Sequence, residues 1–233
     1  AQYLADNGDD LQAVWVVRRD LDENLDANVN SMALKYHGFV GDAEYDLLFS
    51  EHYGDTIVGV GGTLPWGGAV LRADVMLTDT DEDTRWSAVA NWSYSWVGFG
   101  HNMSGMLEYF YSGYGQDNEE YRPDDILQNT DLAQRLLRGE LFTLGKHYLA
   151  ASVLVEVTPL FQLTPNAFVN LGDGSALLQL VGQYDLAQNW QLLGSVNLPV
   201  GGDDTEFGGF DSGIDDLSIE TDYSVFAQLA WYF

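Results

Sequence analysis

The chain has 233 residues, with Lys+Arg 9 against Asp+Glu 36 and a formal net charge of −27 at pH 7. So few basic residues leave no footprint for nucleic acid, and the lack of cysteine excludes a disulfide framework and thiolate-held zinc. Its 13 Tyr, 11 Phe, 7 Trp and 25 Gly suit many short strands with tight turns better than a helical chain.

Ala1-Gln2-Tyr3 reads as a mature start after removal of a leader. From there, period-two alternation marks about twelve strands, near 11–19, 28–40, 43–53, 55–64, 68–78, 85–97, 102–115, 141–157, 160–171, 174–186, 190–200 and 221–233. Each is close to the ~9–11 residues that a tilted membrane-crossing strand needs. The longest stretch without Asp, Glu, Lys or Arg, Trp86 to Leu107, is long enough for a membrane helix, but its apolar residues alternate and Gly98 and Gly100 interrupt it. Two strands and a turn fit it better.

The connections fall into two alternating classes. Gly41-Asp42, Pro65-Trp66-Gly67, Gly98-Phe99-Gly100, Thr158-Pro159 and Ala187-Gln188-Asn189 are short and nearly uncharged. The others include long acidic loops near 20–27, 79–84, 116–140 and 201–220, with short links near 53–55 and 172–174. Bacterial barrels pair short periplasmic turns with longer external loops, so this alternation gives each strand end an address. Within 116–140, Thr130 to Arg138 has the pattern of a short helix capped by Thr130 or Asp131. That loop either folds over the mouth or into the interior, or stands outside with no gating role.

The last strand is the most specific segment. Tyr223, Val225, Ala227, Leu229, Trp231 and Phe233 share one face, with Ala227 the least bulky. This aromatic-terminated alternation resembles the sorting signal by which bacterial outer-membrane proteins are recognised for insertion. The resemblance implies an outer-membrane location, assembly by the β-barrel assembly machinery, and Tyr223, Val225, Leu229, Trp231 and Phe233 as the signal.

The expected fold is therefore all-β: a transmembrane antiparallel up-and-down β-barrel, one domain over 1–233, porin-like, with both termini in the periplasm. The chain is either a complete barrel or the carboxy-terminal part of a larger one. Apolar residues on alternate positions then face lipid, and Arg18, Lys35, Asp46, Arg72, Asp74, Arg85, Glu108, Lys146 and Glu156 become candidate pore-lining residues. Mixed charges on that face fit a hydrated pore or an internal salt-bridge network that plugs the barrel. Trp66, Trp96, Trp190 and Trp231 map beside the short turns, as a membrane-interface girdle would.

Catalytic signatures are weak. His37, His52, His101 and His147 lie apart, no Gly-x-Ser-x-Gly elbow is present, and only His52, flanked by Glu51 and Asp55, could be recruited as a general base. Asp79 to Asp83 lacks the glycine and distal glutamate of an EF-hand, which leaves at most weak divalent-cation binding by acidic loops and no cofactor. The expected function is passive passage of small hydrophilic solutes or ions, without enzymatic activity. The alternative is a non-conducting structural or surface-binding barrel. Lipid, lipopolysaccharide and the assembly machinery are the expected partners; the transported solute and the oligomeric state stay open.

Overall fold

A computed structural model describes residues 1–19, 29–116, 121–214 and 217–233. By contact the chain forms two compact units, Ala1–Ala90 with Ser112–Tyr114, and Asn91–Tyr111 with Gly115–Phe233.

The first unit is a meander of β1 (Gln2–Leu4), β2 (Asp10–Val16), β3 (Ser31–Val40), β4 (Ala43–His52), β5 (Asp55–Trp66) and β6 (Ala69–Asp79), leading into β7 (Thr84–Gly98). From β1 to β6 each strand pairs antiparallel with the next. Hairpin loops in which both central residues have positive φ match the twist of the flanking strands, and both Tyr53–Gly54 and Gly67–Gly68 have this geometry. The two glycines move the expected 65–67 turn onward. Pro65 and Trp66 stay in β5, opposite Val70 and Ala69.

The second unit contains the rest of β7, then β8 (His101–Ser112) as far as Tyr111, α1 (Pro123–Gln128), α2 (Thr130–Arg138), β9 (His147–Thr158), β10 (Phe161–Asn170), β11 (Ala176–Ala187), β12 (Trp190–Val200), the small hairpin β13 (Phe210–Ile214) with β14 (Leu217–Ile219), and β15 (Ser224–Trp231). β8 to β12 and then β15 pair in turn, all antiparallel. One irregularity lies in mid-strand. The β9–β10 register pairs Leu163 with Val155 and Asn166 with Ser152, but has no partner for Thr164 or Pro165. Proline has no N–H to give to such a ladder.

The fold is all-β with up-and-down order: a 13-stranded sheet running β1 to β12 and then β15, plus the separate β13–β14 pair. The order starts at β1 and ends at β15, and among the described residues no ladder closes it. The twelve expected strands are present, and all but one begin and end close to their expected bounds; the strand expected from 141 begins at His147, after a non-strand stretch that includes Leu144 and Gly145 of the loop. The other differences are β1 and the β13–β14 hairpin, all too short to show alternation. β1 also changes the count at the amino end, because it runs back along β2 and brings the Ala1 ammonium to the Ala13 carbonyl at 2.7 Å. The α2 cap is corrected as well. Asn129 accepts from the Leu132 N–H, so neither Thr130 nor Asp131 is the N-cap.

Candidate functional site

Register turns alternation into two chemically distinct faces, because residues opposite one another in a ladder point the same way. In the first unit one face is built by rows such as Ala33, Ser50 and Ile57, or His37, Asp46, Gly61 and Asp74. It carries Lys35, Asp46, Arg72 and Asp74. The other face has Leu34, Phe49, Val58 and Leu77 in one row and Tyr36, Leu47, Val60 and Val75 in the next. In β2 to β6 its carboxylates include Glu51 and Asp79, which both align with Thr56 in a row beside the Tyr53–Gly54 turn, at the end away from the Gly41–Asp42 and Gly67–Gly68 turns. The apolar rows thus meet charge at that end of the sheet.

The second unit repeats the division. Its apolar rows include Leu107 with Ala151, Ala167, Leu178 and Leu198, and Leu192 with Leu229. Its polar face carries amides joined across strands. Asn166 Nδ2 donates to Gln179 Oε1 at 3.2 Å, Gln179 Nε2 to Asn197 Oδ1 at 2.7 Å, and Asn197 Nδ2 to Ser224 Oγ at 2.8 Å. Single amides in a polar strand carry no individual signal in sequence. Only the register shows that they form a ladder over four strands.

The candidate pore-lining residues fall as follows. Lys35 Nζ and His37 Nδ1 lie 2.9 and 3.0 Å from Asp46 Oδ1. The floor beside this cluster is low, because Gly59 and Gly61 of β5 lie on the same face, and the Asp74 carboxylate occupies the space where a Gly61 side chain would sit. Lys35, Asp46, Gly59, Gly61, Asp74 and Met76 line a hollow of about 390 Å³. Arg18 lies beyond the end of β2, donating to the Val29 carbonyl and to Ser31 Oγ, with its guanidinium 4.7 Å from the Tyr53 ring. Arg72 shares the Asp74 face, and Arg85 is on β7. In the second unit Glu108 accepts from Asn91 at 3.1 Å and Glu156 from Asn102 at 2.6 Å. Lys146 precedes β9. The set therefore divides into a charged cluster in the first unit and separate amide-held carboxylates in the second.

Trp66, Trp96, Trp190 and Trp231 stand at or near the ends of their strands beside the short turns and the carboxy terminus. Trp190 and Trp231 stack with centroids 5.9 Å apart, and Trp231 also meets Phe233 at 5.5 Å. Trp96 stacks on Tyr94 and lies over the side-chain-free Gly105, while Trp66 ends β5 at its turn. Val225, Leu229 and Trp231 are 73%, 57% and 57% exposed, so among the described residues no protein core covers this face of β15.

The acidic loops differ from one another. Residues 20–28, 117–120 and 215–216 lie outside the described residues, and with them every carboxylate of the 20–27 loop and some of those of the 116–140 and 201–220 loops. In the 79–84 loop, Thr80 Oγ1 donates to the Asp83 carbonyl and Thr84 Oγ1 to Asp79, giving a closed local turn. Among the described residues, no group of three His, Asp or Glu is placed to hold a metal ion.

The loops after β8 and β12 form a polar node that sequence reasoning did not find. Glu206, in the acidic run after β12, turns back onto β9 and β10. Its Oε1 accepts from the Leu144 N–H at 2.8 Å, and its Oε2 accepts from the Tyr148 hydroxyl at 2.6 Å and from Asn170 Nδ2 at 2.7 Å. Asn170 also donates to the Tyr121 hydroxyl, and the Glu206 N–H donates to Asp173 Oδ2. Tyr148 and Asn170 are 0% exposed and Tyr121 2%. Aromatic contacts frame the node: Tyr148 stacks on Phe168 at 5.1 Å, Phe207 meets Phe168 edge-on, and Tyr121 packs on Phe210. Burial pushes the Glu206 carboxyl above its ordinary value, against the lowering effect of its three donors, and nearby Asp173 adds to the rise.

No protein family model matches the chain, and no curated protein matches it. Among solved structures it is similar to one described as "NanC porin structure in rhombohedral crystal form", at 11% identity over 97% of this chain and 99% of that one, with a TM-score of 0.37. So loose a superposition carries no weight beside the chain's own registers.

Proposed function

We propose that the chain is a bacterial outer-membrane β-barrel that lets small hydrophilic solutes or ions pass by diffusion, without catalysis. The observation carrying this reading is the division of the ladders in both units into an apolar face and a polar one. An exposed apolar surface of this extent is unfavourable in water and favourable against hydrocarbon. The strands have the matching length: β3 to β6 run 10, 10, 12 and 11 residues, against the ~9–11 of a tilted membrane strand.

In this reading the polar face lines the passage, with Lys35, Asp46, Arg72 and Asp74 as its most charged wall. The tryptophans hold the headgroup layer, the short turns and carboxy terminus lie in the periplasm, and the outward-facing residues of β15 engage the assembly machinery. Acidic outer loops meet lipopolysaccharide through divalent ions. The edges of the sheet must be hydrogen-bonded for it to reside in lipid, since unpaired backbone groups are costly there. Planar-bilayer recording of the purified protein tests the proposal. Discrete conductance steps support it, and a sealed bilayer at all voltages favours the structural, non-conducting barrel.

One observation supports a second reading, a hydrolytic site at the rim. Ser31 Oγ lies 2.6 Å from His52 Nδ1 and also accepts from Arg18. Arginine only donates, so the serine proton is available to His52, as in a nucleophile–base pair. Covalent labelling of Ser31 by a fluorophosphonate, lost in His52→Ala, would support it; an unlabelled serine would leave the pair as a structural bridge.

A further inference from the structure

The charged wall of the first unit holds its ions in two different ways. Lys35 is satisfied within the wall, because Asp46 lies 2.9 Å from its Nζ and is shared with His37 at 3.0 Å. Across the glycine floor the case differs. Among the described residues, Asp74 and Arg72 have no ion-pair partner, and both are exposed. Their alignments keep them from closing on each other: Asp74 is opposite Gly61 and lies across the space above it, while Arg72 is opposite Thr63. Two residues along a strand span about 7 Å, so a carboxylate and a guanidinium stand on one face with room for a small molecule at both.

We propose that Asp74 and Arg72 form a subsite for small zwitterions of the α-amino acid type, with Gly61 as the floor that seats the Asp74 carboxylate. A solute of one sign meets one favourable group here and one opposed group a few ångströms away, and the second offsets the first. The Lys35–Asp46 pair adds no net charge to tip that balance. A solute carrying both signs satisfies both groups: its carboxylate accepts from the Arg72 fork, and its ammonium donates to Asp74. The hollow of about 390 Å³ beside Asp74, left open by Gly59 and Gly61, takes the rest of such a molecule. That the subsite stands in a passage rests on the reading above; the pairing of its charges does not.

Serine, ethanolamine and glycerate make a matched set of probes. Ethanolamine is serine without its carboxylate, and glycerate is serine with a hydroxyl in place of the ammonium. Equilibrium dialysis of each labelled compound against the detergent-solubilised full chain at low salt should show serine bound about tenfold or more tightly than either. Asp74→Asn and Arg72→Gln should each remove that advantage. Gly61→Ala should remove it too, since it keeps both charges but puts a methyl group where the carboxylate lies. Serine bound no better than the other two by the wild type overturns the proposal without any variant, and so does an advantage that survives Asp74→Asn or Arg72→Gln. Planar-bilayer recording separates this outcome from that of the passage reading. Preferential serine binding by a chain that leaves the bilayer sealed keeps the subsite and rejects the passage; conductance without that preference does the reverse.

Discussion

Leu47 and Leu48 are the same residue at adjacent positions of β4, and they face different surroundings. Leu47 lies in the apolar row with Tyr36 and Val60, and Leu48 in the polar row with Lys35 and Gly59. Leu47→Lys should cost about 2–4 kcal/mol and Leu48→Lys much less, measured by urea unfolding in lipid vesicles. Equal costs would remove the basis for assigning the two faces. At the Lys35–Asp46 pair, 42% and 30% exposed, water screens the attraction, and Asp46→Asn should change stability by less than about 1 kcal/mol. Its effect belongs in selectivity. Loss of that carboxylate beside Lys35 should shift the reversal potential toward anions. That Lys35, Asp46, Arg72 and Asp74 share one face was readable from alternation, whereas Arg18 and Lys146 lie outside the strands. The contribution of Gly59 and Gly61 was not readable, because a glycine in a strand shows what it leaves open only once Asp74 is seen beside it.

Elements were legible in proportion to their length. Strands of ten or more residues repeat the two-residue period often enough to be read, whereas the three residues of β1 cannot, and α1 has only six residues, the first a proline. The inward turn of 201–209 was hidden for another reason. Glu206 looks like one more solvated carboxylate among Asp203, Asp204 and Asp211, and its partners Tyr148 and Asn170 are 58 and 36 residues away. For the helices, Asn129→Ala should remove about 1 kcal/mol of local stability from α2 and raise amide exchange over 130–138. For the end of β15, Phe233→Ser should lower the yield of assembled protein in cells while leaving refolding in detergent nearly unchanged. Equal loss in both would make that residue a packing element and not a recognition signal.

On the scale of the whole molecule, charge and hydrogen bonding set the behaviour. With 36 acidic against 9 basic residues, cation preference should be greatest in dilute salt and decline as the screening length shrinks from about 30 Å at 0.01 M to about 3 Å at 1 M. Reversal potentials across that range provide the check; a preference indifferent to salt would trace selectivity to contact inside the passage and not to the loops. The gap at Pro165 has a separate consequence. Between Leu163 and Asn166 two rungs of the β9–β10 seam are absent, and the small side chains of Ala151 and Ala167 leave a shallow apolar recess beside it. A sheet stitched less densely along one line gives way there first under heat or lateral pressure, so this seam is where opening of the second unit should begin.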